Sequence, residues 1–192
     1  LAFVNLMEDD PRFLKRAWAE LEAAGNFPDW HPKHFLDTAE LMYAFALGYD
    51  WLHERWTPQE RAFLRTNLIE KGLKRAETVY AGGGWWSKGD NNWNFVCNGG
   101  SAVAALALLD EATKLCALVL SNAFAGVQAA LPLFEPDGAW YEGMGYWGYS
   151  IQYLSAYFNS LESALGTDFG LWDAFPGLRE TGAWPLALHG PS

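Results

Sequence analysis

Cysteine, positive charge and cofactor motifs are all scarce in this chain. Its two cysteines, Cys97 and Cys116, fall within apolar helical patterns, which predicts buried thiols rather than a disulfide or a metal pair. Lysine and arginine number 13 against 23 aspartates and glutamates, and the net charge of -10 argues against nucleic acid and against a basic membrane-binding face. There is no zinc-ligand spacing, GxGxxG motif or P-loop, so the sequence predicts no metal and no other cofactor.

Membrane and export signals are also missing from the sequence. We find no signal-peptide pattern and no apolar run long enough to span a bilayer, so no membrane partner is predicted. The chain starts at Leu1 and stops in the loop-like stretch HGPS at 189–192. We therefore expect 1–192 to be a single, partial domain cut from a longer protein. The oligomeric state is left open.

Aromatic residues are abundant. They make up 16% of the chain, with 11 tryptophans, although leucine, valine and isoleucine alone could fill a core of this size. A surplus of tryptophan indicates either an unusually aromatic core or a surface that stacks on flat apolar faces such as those of sugar rings.

Apolar residues recur at helical spacing along most of the chain, and no stretch alternates with the period of a β-strand. The clearest start signal is Thr57-Pro58-Gln59-Glu60, a capping box with proline at the first helical position. The predicted class is all-α, built from antiparallel helical hairpins. The predicted helices are Pro11 to Ala24, His34 to Glu54, Pro58 to Tyr80, Asn94 to Leu109, Ala112 to Phe134 and Tyr146 to Leu165.

The lengths of the connections predict where a site would lie. They alternate between long and short, in the order 26–33, 55–57, 81–93, 110–111 and 135–145. If successive helices are antiparallel, every long loop lies at one end of the helical array and every short turn at the other. Functional residues concentrate on long loops held by a rigid scaffold, so we expect the site at the long-loop end.

Asparagines are concentrated in one of these long loops. Asn91, Asn92, Asn94 and Asn98 fall within about two helical turns, and N-capping of the following helix needs only one of them. An amide that faces a cavity donates to a carboxylate or a sugar oxygen without being charged itself. Capping and ligand binding are both open interpretations for these side chains.

Tyrosines form a stripe in the last long helix. Tyr153 and Tyr157 are interpreted as core residues, whereas Tyr146 and Tyr149 fall in the first turn, at the long-loop end. A tyrosine that acts as a base needs nearby positive or donor groups to lower its ordinary pKa of about 10. Glu142 is a candidate acid for which the sequence offers no paired carboxylate.

Three stretches together resemble the helical domain of the heparinase II/III-like polysaccharide lyases, which include alginate and heparan lyases. The resemblance covers roughly Trp30 to Leu165 and is carried by HFLDTAELMYAFALGYDWL, NNWNFVCNGG and DGAWYEGMGYWGYSIQYL. It implies an incomplete (α/α) toroid followed by a β-sandwich domain, of which this chain has only the first part. It also implies an acidic polysaccharide substrate and a periplasmic or secreted location.

The resemblance further implies β-elimination at a uronic acid. Asn92 would neutralise the substrate carboxylate, and Tyr149 or Tyr146 would remove the C5 proton or protonate the departing O4. Several members have histidine after this asparagine, where the present chain has Trp93. The residues expected to contact substrate are Trp93, Asn91, Glu142, Trp85, Trp86, His34, Trp30 and His189.

Two alternatives stay open at this stage. A glycoside hydrolase on the same helical scaffold would need two acidic residues facing each other across the cleft. A carbohydrate-binding domain without chemistry would need only the aromatic and amide groups.

Overall fold

The computed structural model describes residues 1–188, and every regular element within that range is helical. This confirms the predicted all-α class. The α-helices are α1 (Ala2–Glu8), α2 (Pro11–Gly25), α3 (Leu36–Trp51), α4 (Pro58–Asn67), α5 (Lys74–Ala81), α6 (Asn92–Ala107), α7 (Thr113–Ala130), α8 (Met144–Leu165), α9 (Leu171–Ala174), α10 (Pro176–Glu180) and α11 (Trp184–Leu188). Shorter 3₁₀ segments are His53–Arg55, Trp85–Lys88 and Leu131–Phe134, and Leu68–Leu73 forms a π-helix.

Several boundaries differ from the prediction by one to three residues, and three differences stand out. α3 begins at Leu36 because Phe35 has a left-handed backbone, with φ 71°. The helix predicted from Pro58 to Tyr80 is interrupted by a π-helical segment between α4 and α5. The helix after 112 tightens into a 3₁₀ turn that contains Pro132. α1 was not predicted at all.

α6 is the central helix, packed against α3, α7 and α8. Nearly every side chain from Asn92 to Ala105 is buried. Gly100 permits the close approach to α3, since a Cβ there would lie 2.5 Å from the carbonyl oxygen of Ala39. Gly126 in α7 permits the close approach of the 3₁₀ segment Trp85–Lys88, because a Cβ at Gly126 would lie 2.2 Å from the Ser87 carbonyl oxygen.

Two asparagines inside α6 are structural. Asn94 Nδ2 donates to the carbonyls of Gly89 (2.8 Å) and Gly126 (3.0 Å). Asn98 Nδ2 donates to Asn94 Oδ1 (3.1 Å) and to the Ser87 carbonyl (3.2 Å). Asn98 Oδ1 accepts from the Tyr80 hydroxyl at 2.9 Å. These bonds tie the long loop before α6 to the body of the helical array.

Contacts between the ends of the helices agree with the predicted placement of the loops. At the short-turn end, Glu111 accepts a hydrogen bond from Tyr49, near the end of α3, and pairs with Arg65 of α4. At the long-loop end, the His34 ring lies 4.7 Å from that of Trp93. α3 and α6 therefore begin at the same end of the array.

One prediction about apolar runs is wrong. Within residues 1–188, the stretch Thr113–Phe134 is long and apolar enough to cross a membrane, by length and composition alone, with mean hydropathy 1.6. Val119, Ala123 and Val127 of this stretch lie in the core. A core helix of a globular protein has the same composition, so the finding is weak evidence for a membrane span.

Asn98→Leu should lower the free energy of unfolding by about 2 kcal/mol or more, because the buried Tyr80 hydroxyl and Ser87 carbonyl would lose their partner. Urea denaturation measures the change. The control is Asn122→Leu on the exposed face of α7, whose amide bonds only to the Leu118 carbonyl. Equal stability of the two variants would contradict the structural role of Asn98.

Buried tyrosines and cysteines make the fold sensitive to alkali. Burial, followed by a hydrogen bond to Glu111, raises the pKa of Tyr49 from 10.0 to about 12. Burial and the nearby Glu111 raise the pKa of Cys116 from 9.0 to about 11. Burial also raises the pKa of Cys97 well above its ordinary value. Both cysteines are free buried thiols, as predicted.

These raised pKa values predict a loss of stability with rising pH. A group that holds its proton more tightly in the folded state contributes fully below its unfolded pKa, and that contribution disappears as the pH rises through the folded pKa. The loss should begin near pH 9 and continue toward pH 12. Urea denaturation at several pH values should show a smaller alkaline loss for Tyr49→Phe than for the unmodified chain. An equal or larger loss in the variant would contradict this assignment.

Candidate functional site

Two long loops meet at the start of α6. The carboxylate of Glu142, in the loop before α8, accepts from the backbone N–H of Asn92 at 2.6 Å and from its Nδ2 at 2.8 Å. Trp140 Nε1 donates to the same carboxylate at 3.2 Å. The Tyr141 hydroxyl donates to the Asp90 carbonyl at 2.8 Å. We call the surface formed by 89–93 and 140–149 the rim.

The start of α6 explains why a carboxylate binds there. The first N–H groups of a helix have no partner within the helix, and its dipole favours negative charge at that end. Asn91 satisfies one of them, since its Oδ1 accepts from the Trp93 N–H at 3.2 Å. Glu142 satisfies the N–H of Asn92. Asn91, predicted to contact substrate, therefore has its side-chain oxygen committed to the N-cap.

Asn92 is held in one orientation. Its side chain is only 3% exposed, and Nδ2 points at Glu142. Its Oδ1 is buried and has no hydrogen-bond partner among the described residues. An unpaired buried acceptor lowers the free energy of unfolding by about 1–3 kcal/mol, so the Asn92 side-chain oxygen is not explained by a contribution to stability.

The two candidate tyrosines differ in their surroundings. Tyr149 is half-buried, and its hydroxyl donates to the carboxylate of Glu40 on α3. Burial, followed by that hydrogen bond, raises the pKa of Tyr149 well above its ordinary value. Tyr149 therefore keeps its proton at neutral pH. Tyr146 is 54% exposed and makes no side-chain hydrogen bond within residues 1–188.

Three rings form a row beside Asn92. The Trp93 ring lies 4.8 Å from that of Trp85 and 4.7 Å from that of His34. The Trp85 side chain is 59% exposed and Trp93 is partly buried. The row offers an aromatic face on which a sugar ring can stack.

Two predicted substrate contacts are wrong. Trp30 is 1% exposed; its ring packs 4.6 Å from that of Phe45 and its Nε1 donates to the Ala24 carbonyl. Trp86 is 3% exposed and packs 4.4 Å from the Phe35 ring. Both indoles anchor long loops to the core and have no face free for a ligand. His189 lies outside the described residues.

Three residues that the sequence analysis did not assign to the site, Glu40, His31 and Asp37, lie beside it, and the last two form a cluster with the predicted contact His34. Glu40 is the acceptor for Tyr149. In the cluster, Asp37 Oδ2 lies 2.7 Å from His34 Nδ1 and 3.0 Å from His31 Nδ1. In the described part of the chain, His31, His34 and Asp37 form a group whose ligand atoms lie close enough together to hold a metal ion. These four residues follow one another at intervals of three, which is the signal that could have revealed them.

A surface groove lies elsewhere in the described part of the chain. It has a volume of about 770 Å³ and is formed by residues of α3, α6 and α8, including Tyr43, Asp50 and Asn159. Neither Asn92 nor Glu142 lines it.

Glu142→Gln should lower the free energy of unfolding by about 1 kcal/mol, since the start of α6 would lose a charged acceptor. Glu162→Gln, at an exposed position of α8, is the control and should change stability by less than about 0.5 kcal/mol. Thermal or urea denaturation measures both variants. If Glu142→Gln is as stable as its control, the carboxylate does not stabilise the start of α6.

The comparisons with known proteins do not assign the chain to a family. No protein-family model matches the sequence, and no curated protein matches it. The resemblance to the polysaccharide lyases therefore stays a prediction carried by three sequence stretches, and the function has to be argued from the geometry of the rim.

Proposed function

We propose that this chain is the helical part of a polysaccharide lyase that cleaves a uronic-acid polymer by β-elimination. One observation carries the proposal: the backbone N–H and the side-chain amide of Asn92 both donate to a single carboxylate, that of Glu142. Glu142 stands in for the carboxylate of a uronic acid. A pair of N–H donors at a helix start is the arrangement that neutralises such a group.

The wider architecture belongs to the same proposal. The helical hairpins would form an incomplete (α/α) toroid, and a β-sandwich domain would follow this chain in the full protein. A periplasmic or secreted location would give the enzyme access to extracellular polysaccharides. Each of these statements follows from the resemblance rather than from the geometry of the rim.

Neutralising the carboxylate makes the C5–H bond acidic, because the negative charge that develops on removal of the proton is delocalised onto the carboxyl group. A base takes the C5 proton, the electron pair forms the C4=C5 double bond, and the C4–O bond breaks. The departing oxygen takes a proton from an acid. No water, oxidant or reductant is consumed.

Tyr149 is best suited to the acid. Its raised pKa keeps the hydroxyl protonated at neutral pH, so in the free chain Tyr149 is able to donate a proton and not to accept one. The Glu40 carboxylate orients that hydroxyl in the free chain. Tyr146, exposed one helical turn before Tyr149, is the remaining tyrosine for proton removal, and to act as a base it needs an activating donor group that residues 1–188 do not supply.

A glycoside hydrolase is the second candidate, and it would need a pair of acidic groups separated by the sugar. We favour the lyase because the Glu142 carboxylate accepts N–H bonds from Asn92 and Trp140, which is how the site would hold a substrate carboxylate.

The lyase assay follows the ultraviolet absorbance of the unsaturated product when the full-length protein is incubated with alginate, heparan or chondroitin. Activity is expected on one of these uronates. Tyr149→Phe should lower kcat by about 100-fold or more, because the proton donor is lost. Tyr49→Phe removes a hydroxyl at the short-turn end of the array, away from the rim, and this control should keep its activity.

Two outcomes would overturn the proposal. Absence of unsaturated product from every uronate polymer would exclude a lyase. Product formation that is unaffected by Tyr149→Phe would exclude the assigned acid. Binding of the polymer without product, with equal affinity in Tyr149→Phe and the unmodified protein, would identify a carbohydrate-binding domain instead.

A further inference from the structure

His31, His34 and Asp37 converge on one point beside the rim. Asp37 Oδ2 lies 2.7 Å from His34 Nδ1 and 3.0 Å from His31 Nδ1, and the two imidazoles stack with their centroids 5.3 Å apart. One potential ligand atom from each residue lies within 4.8 Å of the other two. We propose that these three side chains form a zinc site. The proposal does not depend on lyase activity.

Stability alone gives no reason for this convergence. The three side chains are 64%, 45% and 52% exposed, for His31, His34 and Asp37 respectively. Exposed ion pairs contribute about 0–1 kcal/mol, and holding several side chains in one geometry costs entropy. One ligand atom from each of the three side chains lies within 4.8 Å of the other two, which is close enough for all three to reach one metal ion.

The backbone around the cluster is fixed in advance. Trp30 and Phe35 are each 1% exposed and anchor the segment to the core from either side of His31 and His34. The buried Thr38 hydroxyl donates to the Trp30 carbonyl, which joins the start of α3 to the chain before the cluster. Because the backbone is already held in place, binding a metal ion would order only the three side chains.

The segment also has an unusual backbone. His31 and Phe35 have left-handed φ angles of 56° and 71°. Such angles are uncommon for residues other than glycine and are enriched at sites where the surrounding structure imposes them. Here they turn the chain so that both imidazoles face Asp37 at the first turn of α3.

The donor set selects the kind of metal. Two imidazole nitrogens and one carboxylate oxygen suit Zn²⁺, with bonds of about 2.0–2.2 Å, whereas Mg²⁺ and Ca²⁺ prefer oxygen ligands alone. Tetrahedral ligands at those bond lengths lie about 3.3 Å apart. To admit the ion, the Asp37 oxygen would move away from the imidazoles, and the two nitrogens, which lie within 4.8 Å of each other, would adjust as well. Three protein ligands leave a fourth position for water.

The site would lie next to the rim, since the His34 ring contacts that of Trp93 edge-on at 4.7 Å. A bound zinc ion would add two positive charges near Glu40 and Glu142, in a protein whose net charge is -10. It would also fix the His34 ring and through it the position of Trp93. Zinc binding and the aromatic row are thus physically coupled.

The test is isothermal titration of the metal-stripped protein with Zn²⁺ at neutral pH. The expected result is one ion per chain with a Kd in the micromolar range or tighter. His34→Gln, Asp37→Asn and His31→Asn should each weaken binding by about tenfold or more. Asparagine is chosen at position 31 because it tolerates the left-handed backbone. His53→Gln, in the 3₁₀ turn at the other end of the array, is the matched control and should bind as the unmodified chain does.

A second measurement does not depend on the folding of the variants. In the unmodified protein, the NMR signals of the His31 and His34 imidazoles should shift on addition of one equivalent of Zn²⁺, while those of His53 stay in place. The proposal is overturned if Zn²⁺ binds no tighter than millimolar, if His34→Gln binds as well as the unmodified chain, or if the His53 signals shift instead.

Discussion

The hydrogen bonds between the Glu142 carboxylate and Asn92 are the interaction on which the candidate site depends. α6 is buried along most of its length, so its first N–H groups lie where the chain has to supply acceptors. Asn91 supplies one and Glu142 supplies the next. The loop before α8 is thereby fastened to the start of α6, and Tyr146 and Tyr149 follow from it.

The same contact explains how the rim could bind an acidic sugar. Glu142 shows that a carboxylate fits against the two donors of Asn92, and Trp93 lies at the next position with an aromatic face beside it. In our proposal, a uronate carboxylate competes with Glu142 for these donors. Because Glu142 is half-buried in a loop and Asn92 is buried in the core helix, we expect the acceptor to be the partner that moves.

Much of the fold could be predicted from the sequence, because helical periodicity and the Thr57–Glu60 capping box are local signals. The meeting of the long loops followed from their lengths. Exposure was harder to predict. Trp30 and Trp86 occur in long loops as Trp85 does, yet two of these indoles are core anchors and one is exposed. Composition does not distinguish them, since burial depends on the direction of each side chain in the folded loop.

The cluster of His31, His34 and Asp37 shows a different limit. Spacings of three residues are common on any helix, and these residues straddle a loop and a helix start. What brings them together is the left-handed backbone at His31 and Phe35, for which neither residue type gives a sequence signal. The partnership of Tyr149 with Glu40 joins residues 109 positions apart and likewise depends on the packing of α8 beside α3.

The most direct test of the central claim is an NMR titration of the Tyr149→Phe protein with a short uronate oligosaccharide and with its neutral counterpart. We predict that the backbone and side-chain amide signals of Asn92 shift with the uronate and not with the neutral sugar, because the substrate carboxylate replaces that of Glu142. Asn92 signals that stay unchanged at saturating uronate, or that shift equally with the neutral sugar, would contradict the assignment of Asn92 as the carboxylate-binding residue.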